Sequence, residues 1–141
     1  MAKTIKIRQL THKTIKPFGC IIDRRFIKDG GIGDKFGVLL KEKSKGWRIG
    51  YLVLRKKAMM RLESHPDSLE TFEPVKGRPI IALAPNKAPG SVKLFLLDKP
   101  IVVKKGVWHD VMAASRECEM KIFENNEVKI KYHNLKDLVI V

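Results

Sequence analysis

Four side chains able to move protons or hold a metal ion fall in two short segments. Glu63, His65 and Glu70 lie in Arg61-Leu-Glu-Ser-His-Pro-Asp-Ser-Leu-Glu-Thr-Phe-Glu-Pro-Val-Lys-Gly77, and His109 closes Gly106-Val-Trp-His109. Histidine titrates near neutrality and also ligates metals. If the first segment is a strand, Glu63 and His65 share one face, because side chains alternate with period two. His65 precedes Pro66, which biases it to extended backbone. Two histidines with one or two carboxylates supply either an acid–base pocket or a non-haem metal site. The competing reading makes His109 an exposed turn residue, His65 a strand-end histidine satisfied by a hydrogen bond, and the two glutamates surface charges. His12 and His133 lie outside both segments and are expected at the surface.

Strands must position these groups. Ile5 and Ile7 alternate with polar residues, and Cys20-Ile-Ile22, Phe36-Gly-Val-Leu-Leu40 and Trp47–Leu54 are short apolar or alternating runs. Pro79–Ala84, Val92–Leu97 and Ile101-Val-Val103 continue the series, separated by Gly-, Pro- and Asn-rich breakers. Glu119–Phe123 and Val128–Tyr132 flank Asn125-Asn126, a pair that tolerates left-handed backbone, so a two-stranded hairpin is expected there. Lys28–Lys35, with three glycines, is the expected mobile piece, and Asp137–Val141 is expected as a tucked edge strand or subunit contact. The pattern predicts an all-β sandwich or barrel and no interdomain linker, hence a single domain over 1–141.

Composition narrows the class. With 44% hydrophobic and 31% charged residues the chain reads as globular, not disordered. No apolar run approaches the roughly 20 residues that span a bilayer. The basic start lacks the apolar stretch of a secretory signal, and Cys20 and Cys118 are too few for a disulfide scaffold, so the cytoplasm is the expected compartment. The net charge of +14 admits nucleic acid, an acidic membrane surface or small anionic ligands. Its lysines and arginines are spread along the chain, many at alternate strand positions, as on a solvated sheet face. No motif interleaves aromatic residues with the basic clusters, which disfavours a nucleic-acid partner.

The two segments resemble the paired motifs of the cupin superfamily, and within it most closely the ureidoglycolate lyase family, formerly called ureidoglycolate hydrolases. The resemblance rests on Leu62-Glu-Ser-His-Pro66, Phe72-Glu-Pro74 with Gly77, and Gly106-Val-Trp-His109, with Pro17-Phe-Gly19 similar to that family's first strand. It departs at Asp110, where a second histidine is expected, at Val102-Val103 in place of Asn-Tyr, at Lys104 in place of a proline, and at Ala113 in place of an asparagine. The resemblance implies a cupin-type double-stranded β-helix, a jelly-roll barrel, that associates as a homodimer. It implies cleavage of ureidoglycolate to glyoxylate and urea. His109 would then be the preferred base, Glu70 or Glu63 the proton shuttle, and Arg61, Lys104 or a metal the holder of the substrate carboxylate, with Trp108 beside them. A divalent metal ion would sit on His65, Glu70 and His109, with Glu63 as a further ligand. The departures keep a second reading open: a non-catalytic or different-substrate cupin that binds a small anionic ligand or metal. The third is a basic nucleic-acid-binding β-domain.

Overall fold

The computed structural model describes residues 1–27 and 31–141. It is almost entirely β. Twelve strands follow one another: β1 (Ala2–Thr4), β2 (Ile7–Arg8), β3 (Gly19–Ile21), β4 (Trp47–Leu54), β5 (Ala58–Ser64), β6 (Glu70–Lys76), β7 (Pro79–Ala84), β8 (Lys93–Leu96), β9 (Ile101–Val103), β10 (Trp108–Ala113), β11 (Cys118–Asn125) and β12 (Lys131–Ile140). One short helix, α1 (His12–Ile15), starts on Thr11, whose hydroxyl accepts the Thr14 N–H while the Thr14 hydroxyl accepts that of Thr11. A seven-stranded sheet runs β1-β12-β5-β10-β7-β8-β2, and a five-stranded sheet runs β3-β9-β6-β11-β4.

Period two decides which side chains go where. On β7 every residue is buried, so both faces of that strand are covered. Ile81 and Leu83 point toward the smaller sheet and meet Leu54, Phe72, Ile101, Val103 and Met120 in the main core. Ile80, Ala82 and Ala84 point the other way and join Met59, Leu62, Trp108, Met112 and Val139 in a second core. The N-terminal segment accounts for that second core. β1 pairs in parallel with β12 at one edge of the large sheet, and β2 pairs in parallel with β8 at the other. Residues 2–8 can span at most about 25 Å, so the sheet must curl until its two edges meet across them. Ile5, between the two short strands, packs into the enclosed cluster. The result is the cupin-type jelly roll, with the main core as the barrel interior.

Four expectations are corrected. Phe36–Leu40 forms no strand; Phe36 and Val38 lie exposed on irregular backbone. The Asn125-Asn126 hairpin does not form, because β11 pairs with β4 and β6 while β12 pairs with β5 and β1 in the other sheet. Residues 137–140 are no sheet edge, since β1 covers them. His133 is half-buried, its ring 5.8 Å from that of Trp108, and His12 is half-buried 2.8 Å from Asp23. Of the expected mobile piece, residues 28–30 lie outside the described residues, and residues 31–35 are exposed.

Candidate functional site

The two motif segments are locked together by backbone. β5 carries Glu63 opposite His109 of β10, an antiparallel pair on neighbouring strands. His65 follows the end of β5, and its carbonyl accepts the Gly106 N–H at 3.0 Å. Gly106 holds φ +78° in the turn before β10, a left-handed conformation costly for any residue with a Cβ. Gly77, at φ +82°, ends β6; a Cβ there would stand 2.3 Å from the Glu117 carbonyl oxygen. β6 begins with Glu70 and turns Phe72 to the same side, where its ring meets His109 edge-on at 5.5 Å.

Both imidazoles converge on one carboxylate oxygen. His109 Nε2 lies 2.8 Å from Glu70 Oε2, and His65 Nε2 lies 3.2 Å from the same atom. All three side chains are buried. Glu63 stands at the rim, 40% exposed, with Oε1 3.9 Å from His109 Nε2. The far side of each ring is fixed: His65 Nδ1 is 3.1 Å from the Lys129 carbonyl and His109 Nδ1 is 3.0 Å from the Val107 carbonyl. Carbonyls only accept, so each Nδ1 carries a proton and donates, which leaves each Nε2 facing the carboxylate. A neutral ring would aim its lone pair at an anion. A proton or a cation must therefore lie between them.

The electrostatics follow. Burial works against charge on His65, but Glu70 outweighs it and raises the ring from 6.5 to about 9. Burial likewise opposes charge on His109, and Glu70 again raises it. At Glu70 burial opposes the anion, yet the two histidines lower it from 4.5 to about 2. Both histidines are thus biased toward the charged form beside an anionic Glu70. The His109–Glu70 approach is off regular hydrogen-bond geometry, so Glu70 Oε2 and His109 Nε2 are both buried without a regular partner. Orphaned, converging nitrogen and oxygen donors also fit a divalent ion. His65 and His109 with Glu63, or His65 with Glu70 and Glu124, bring ligand atoms within 4.8 Å of one another. Imidazole and carboxylate donors suit zinc, iron, manganese or nickel without selecting one.

The cluster opens into a cavity of about 270 Å³ lined by Glu63, Glu70, Phe72, His109, Lys56 and Asp110, among others. Glu63, His65, Glu70 and His109, 46 positions apart end to end in the sequence, are thus brought to one place. Arg61 lies on the same face of β5 outside that cavity, its guanidinium 4.0 Å above the Tyr132 ring. Lys104 donates to the Lys16 carbonyl at 3.1 Å on an exposed loop. Trp108 sits one residue before His109 and so points to the opposite face. It packs in the second core, its Nε1–H donating to the Asn86 carbonyl at 3.1 Å, and Phe72 is the ring beside His109 instead. Two further residues escaped sequence reasoning: Glu124, whose carboxyl is raised by burial and then by Glu70, and Lys56, which pairs with Asp110, the departure noted in the motif. Phe72 was readable in advance, two places from Glu70 on the same strand face.

A family model described as ureidoglycolate lyase matches residues 2–140. A ureidoglycolate lyase of Rhizobium etli (strain CIAT 652) is 28% identical over 132 residues, covering 81% of this chain and 79% of its own. A second, from Rhizobium etli (strain ATCC 51251), is 25% identical over the same coverage. Among solved structures, pumpkin seed globulin superposes with a TM-score of 0.50 at 14% identity, over 61% of this chain and 23% of the globulin. A cupin 2 domain-containing protein from Halorhodospira halophila gives 0.47 at 11% identity, over 66% of this chain and 60% of that one. At 14% identity the likeness to the globulin speaks to the fold alone.

Proposed function

This chain belongs to the ureidoglycolate lyase family, and from that premise we propose that it cleaves ureidoglycolate into glyoxylate and urea. The observation that carries the reading is the convergence of two buried imidazoles on one carboxylate oxygen, at 2.8 and 3.2 Å, beside a cavity sized for a small polar molecule. The reaction needs a base to take the substrate hydroxyl proton and an acid to protonate the leaving nitrogen. As the C–N bond breaks, the hydroxyl oxygen becomes the aldehyde carbonyl.

Charge distribution supports a division of labour different from the one expected from the motifs. His109, held protonated by Glu70, is the acid. Glu63, the exposed carboxylate at the rim, is the base. Their separation of 3.9 Å lets Glu63 return its proton to His109 after each turnover, which balances the cycle. Glu70 and His65 keep His109 charged and oriented. If a divalent ion occupies His65, Glu70 and His109, it would act as a Lewis acid toward the substrate's oxygens. A non-catalytic, metal-binding cupin would also use such a cluster; the family match and the cavity beside His109 favour the catalytic reading. Assay of wild-type protein for urea and glyoxylate in equal amounts tests it; a small-molecule ligand bound without turnover would favour the non-catalytic reading.

The whole chain is read as one catalytic unit. Cys20 and Cys118 are both free, consistent with a reducing compartment such as the cytoplasm, and no helix among the described residues is long and apolar enough to cross a membrane. A homodimer is proposed through β4, the edge of the smaller sheet, where Trp47, Ile49, Tyr51 and Val53 form an exposed apolar stripe. Of Asp137–Val141, expected as a subunit contact, residues 138–140 are paired with β1 within the large sheet. Sedimentation as a monomer at micromolar concentration would contradict the dimer.

A further inference from the structure

The cavity beside His109 is lined by three carboxylates, Glu63, Glu70 and Asp110, and a single lysine, Lys56. The charge on His109 is held by Glu70, so Lys56 is the cation of that lining that an anionic substrate would meet. β5 and β10 pair at Glu63 and His109 and then part, and the Ala113 N–H donating to the Lys56 carbonyl at 2.9 Å ties the far end of β10 to the residues before β5. The gap holds a second hollow of about 410 Å³, lined by Lys56, Arg61, Glu63, Asp110 and Tyr132 among others. Lys56, Glu63 and Asp110 line both hollows, so Lys56 stands at their junction, on the way from solvent to His109.

Lys56 is held there. Its Nζ lies 2.6 and 2.5 Å from the two carboxylate oxygens of Asp110. An ammonium has three N–H donors, so one remains for an incoming ligand. The lysine side chain is 46% exposed, which keeps an exchange of partners inexpensive. Arg61, the other cation of the outer hollow, is already stacked on Tyr132. Asp110 stands where the resembled family has a histidine, and its pairing with Lys56 gives that departure a function.

We propose that Lys56 is the anchor for the substrate's carboxylate and that Asp110 positions its ammonium at the cavity mouth. The proposal rests on the lyase reading for the substrate's identity, while the site itself would take any small carboxylate. Calorimetric titration with sodium glyoxylate, and with neutral glycolamide as control, tests it on the wild type, Lys56→Met, Lys56→Arg and Asp110→Asn. Losing a charge-assisted hydrogen bond should weaken glyoxylate binding about tenfold or more in Lys56→Met and leave the weak binding of glycolamide unchanged. Lys56→Arg should retain most of the affinity, and Asp110→Asn, which frees the ammonium from its position, should weaken glyoxylate binding less than Lys56→Met does. Lys56→Gln gives the same readout if the methionine variant is unstable. Unchanged glyoxylate affinity in Lys56→Met, an equal loss for glycolamide, or no glyoxylate binding by the wild type would each overturn the proposal. Urea release measured in parallel separates the two readings. A wild type that binds glyoxylate through Lys56 but releases no urea sinks the lyase alone. Turnover with an unaltered KM in Lys56→Met sinks the anchor alone.

Discussion

His109 Nε2 and Glu70 Oε2 meet at 2.8 Å, both buried and neither with another regular hydrogen-bond partner. The far nitrogen of His109 is already committed to the Val107 carbonyl, so the near one can only be protonated or bound to a cation. Glu70 is therefore the charge around which the site is assembled.

Replacing Glu70 with glutamine should remove that centre while keeping its shape. Breaking a buried pair by neutralising one partner leaves the other uncompensated, and a loss of about 3 kcal/mol is expected near pH 6. Urea denaturation measures it. Histidine titration followed by NMR should show His65 falling back from about 9 toward or below its ordinary 6.5. A variant with wild-type stability and an unmoved His65 titration would mean that the histidines are charged for some other reason.

Stability should depend on pH with a definite sign. His65 is raised from 6.5 to about 9, so its contribution is complete below pH 6.5 and disappears as pH rises through 9. Glu70 is lowered from 4.5 to about 2, so its contribution is complete above pH 4.5 and disappears as pH falls toward 2. The pair is most stabilising between about pH 4.5 and 6.5. Unfolding free energy should fall from pH 6.5 to 9, and this slope should flatten in Glu70→Gln. A rise across that interval would contradict the assignment.

Much of the site was legible before the structure. Period two placed Glu63 and His65 near each other, and the same rule, had it been applied to Trp108, would have turned that ring away from His109. The all-β class followed from alternation. The partners of strands were a different matter. Glu119–Phe123 and Val128–Tyr132 read as a hairpin because Asn125-Asn126 suits a tight turn, yet β11 pairs with β4 and β6 while β12 pairs with β5 in the other sheet. Local turn chemistry lost to long-range strand pairing. Asp110 stood out as a departure beside His109, but its pairing with Lys56, 54 positions away, carried no signal, since ion pairs between distant residues leave no periodicity.

The two motif glycines should differ in tolerance. Both have positive φ, so alanine costs about 1–2 kcal/mol of backbone strain at either. At Gly106 the nearest atom to a new Cβ is 3.4 Å away on the Asn86 side chain, which can give. At Gly77 it is a backbone oxygen at 2.3 Å. Gly77→Ala should lower the melting temperature well beyond Gly106→Ala, and equal shifts would show that the β6 turn is softer than described.

Deleting residues 1–8 should open the large sheet at both edges, because one segment pairs with β12 and with β8. Exposed edges template further pairing, so the truncated chain should aggregate and expose the cluster around Leu62 and Trp108. Dye binding and light scattering report both effects. A monodisperse truncated protein with an unchanged melting temperature would show that the N-terminal segment does not close the sheet.

The most direct test of the account is the rate of urea release from ureidoglycolate by the wild type and by His109→Gln. The wild type should release urea and glyoxylate together, well above the spontaneous rate. Removing the general acid should lower kcat by about 10²–10⁴-fold while the protein stays folded. No urea above background from the wild type, or undiminished kcat in His109→Gln, would contradict the account.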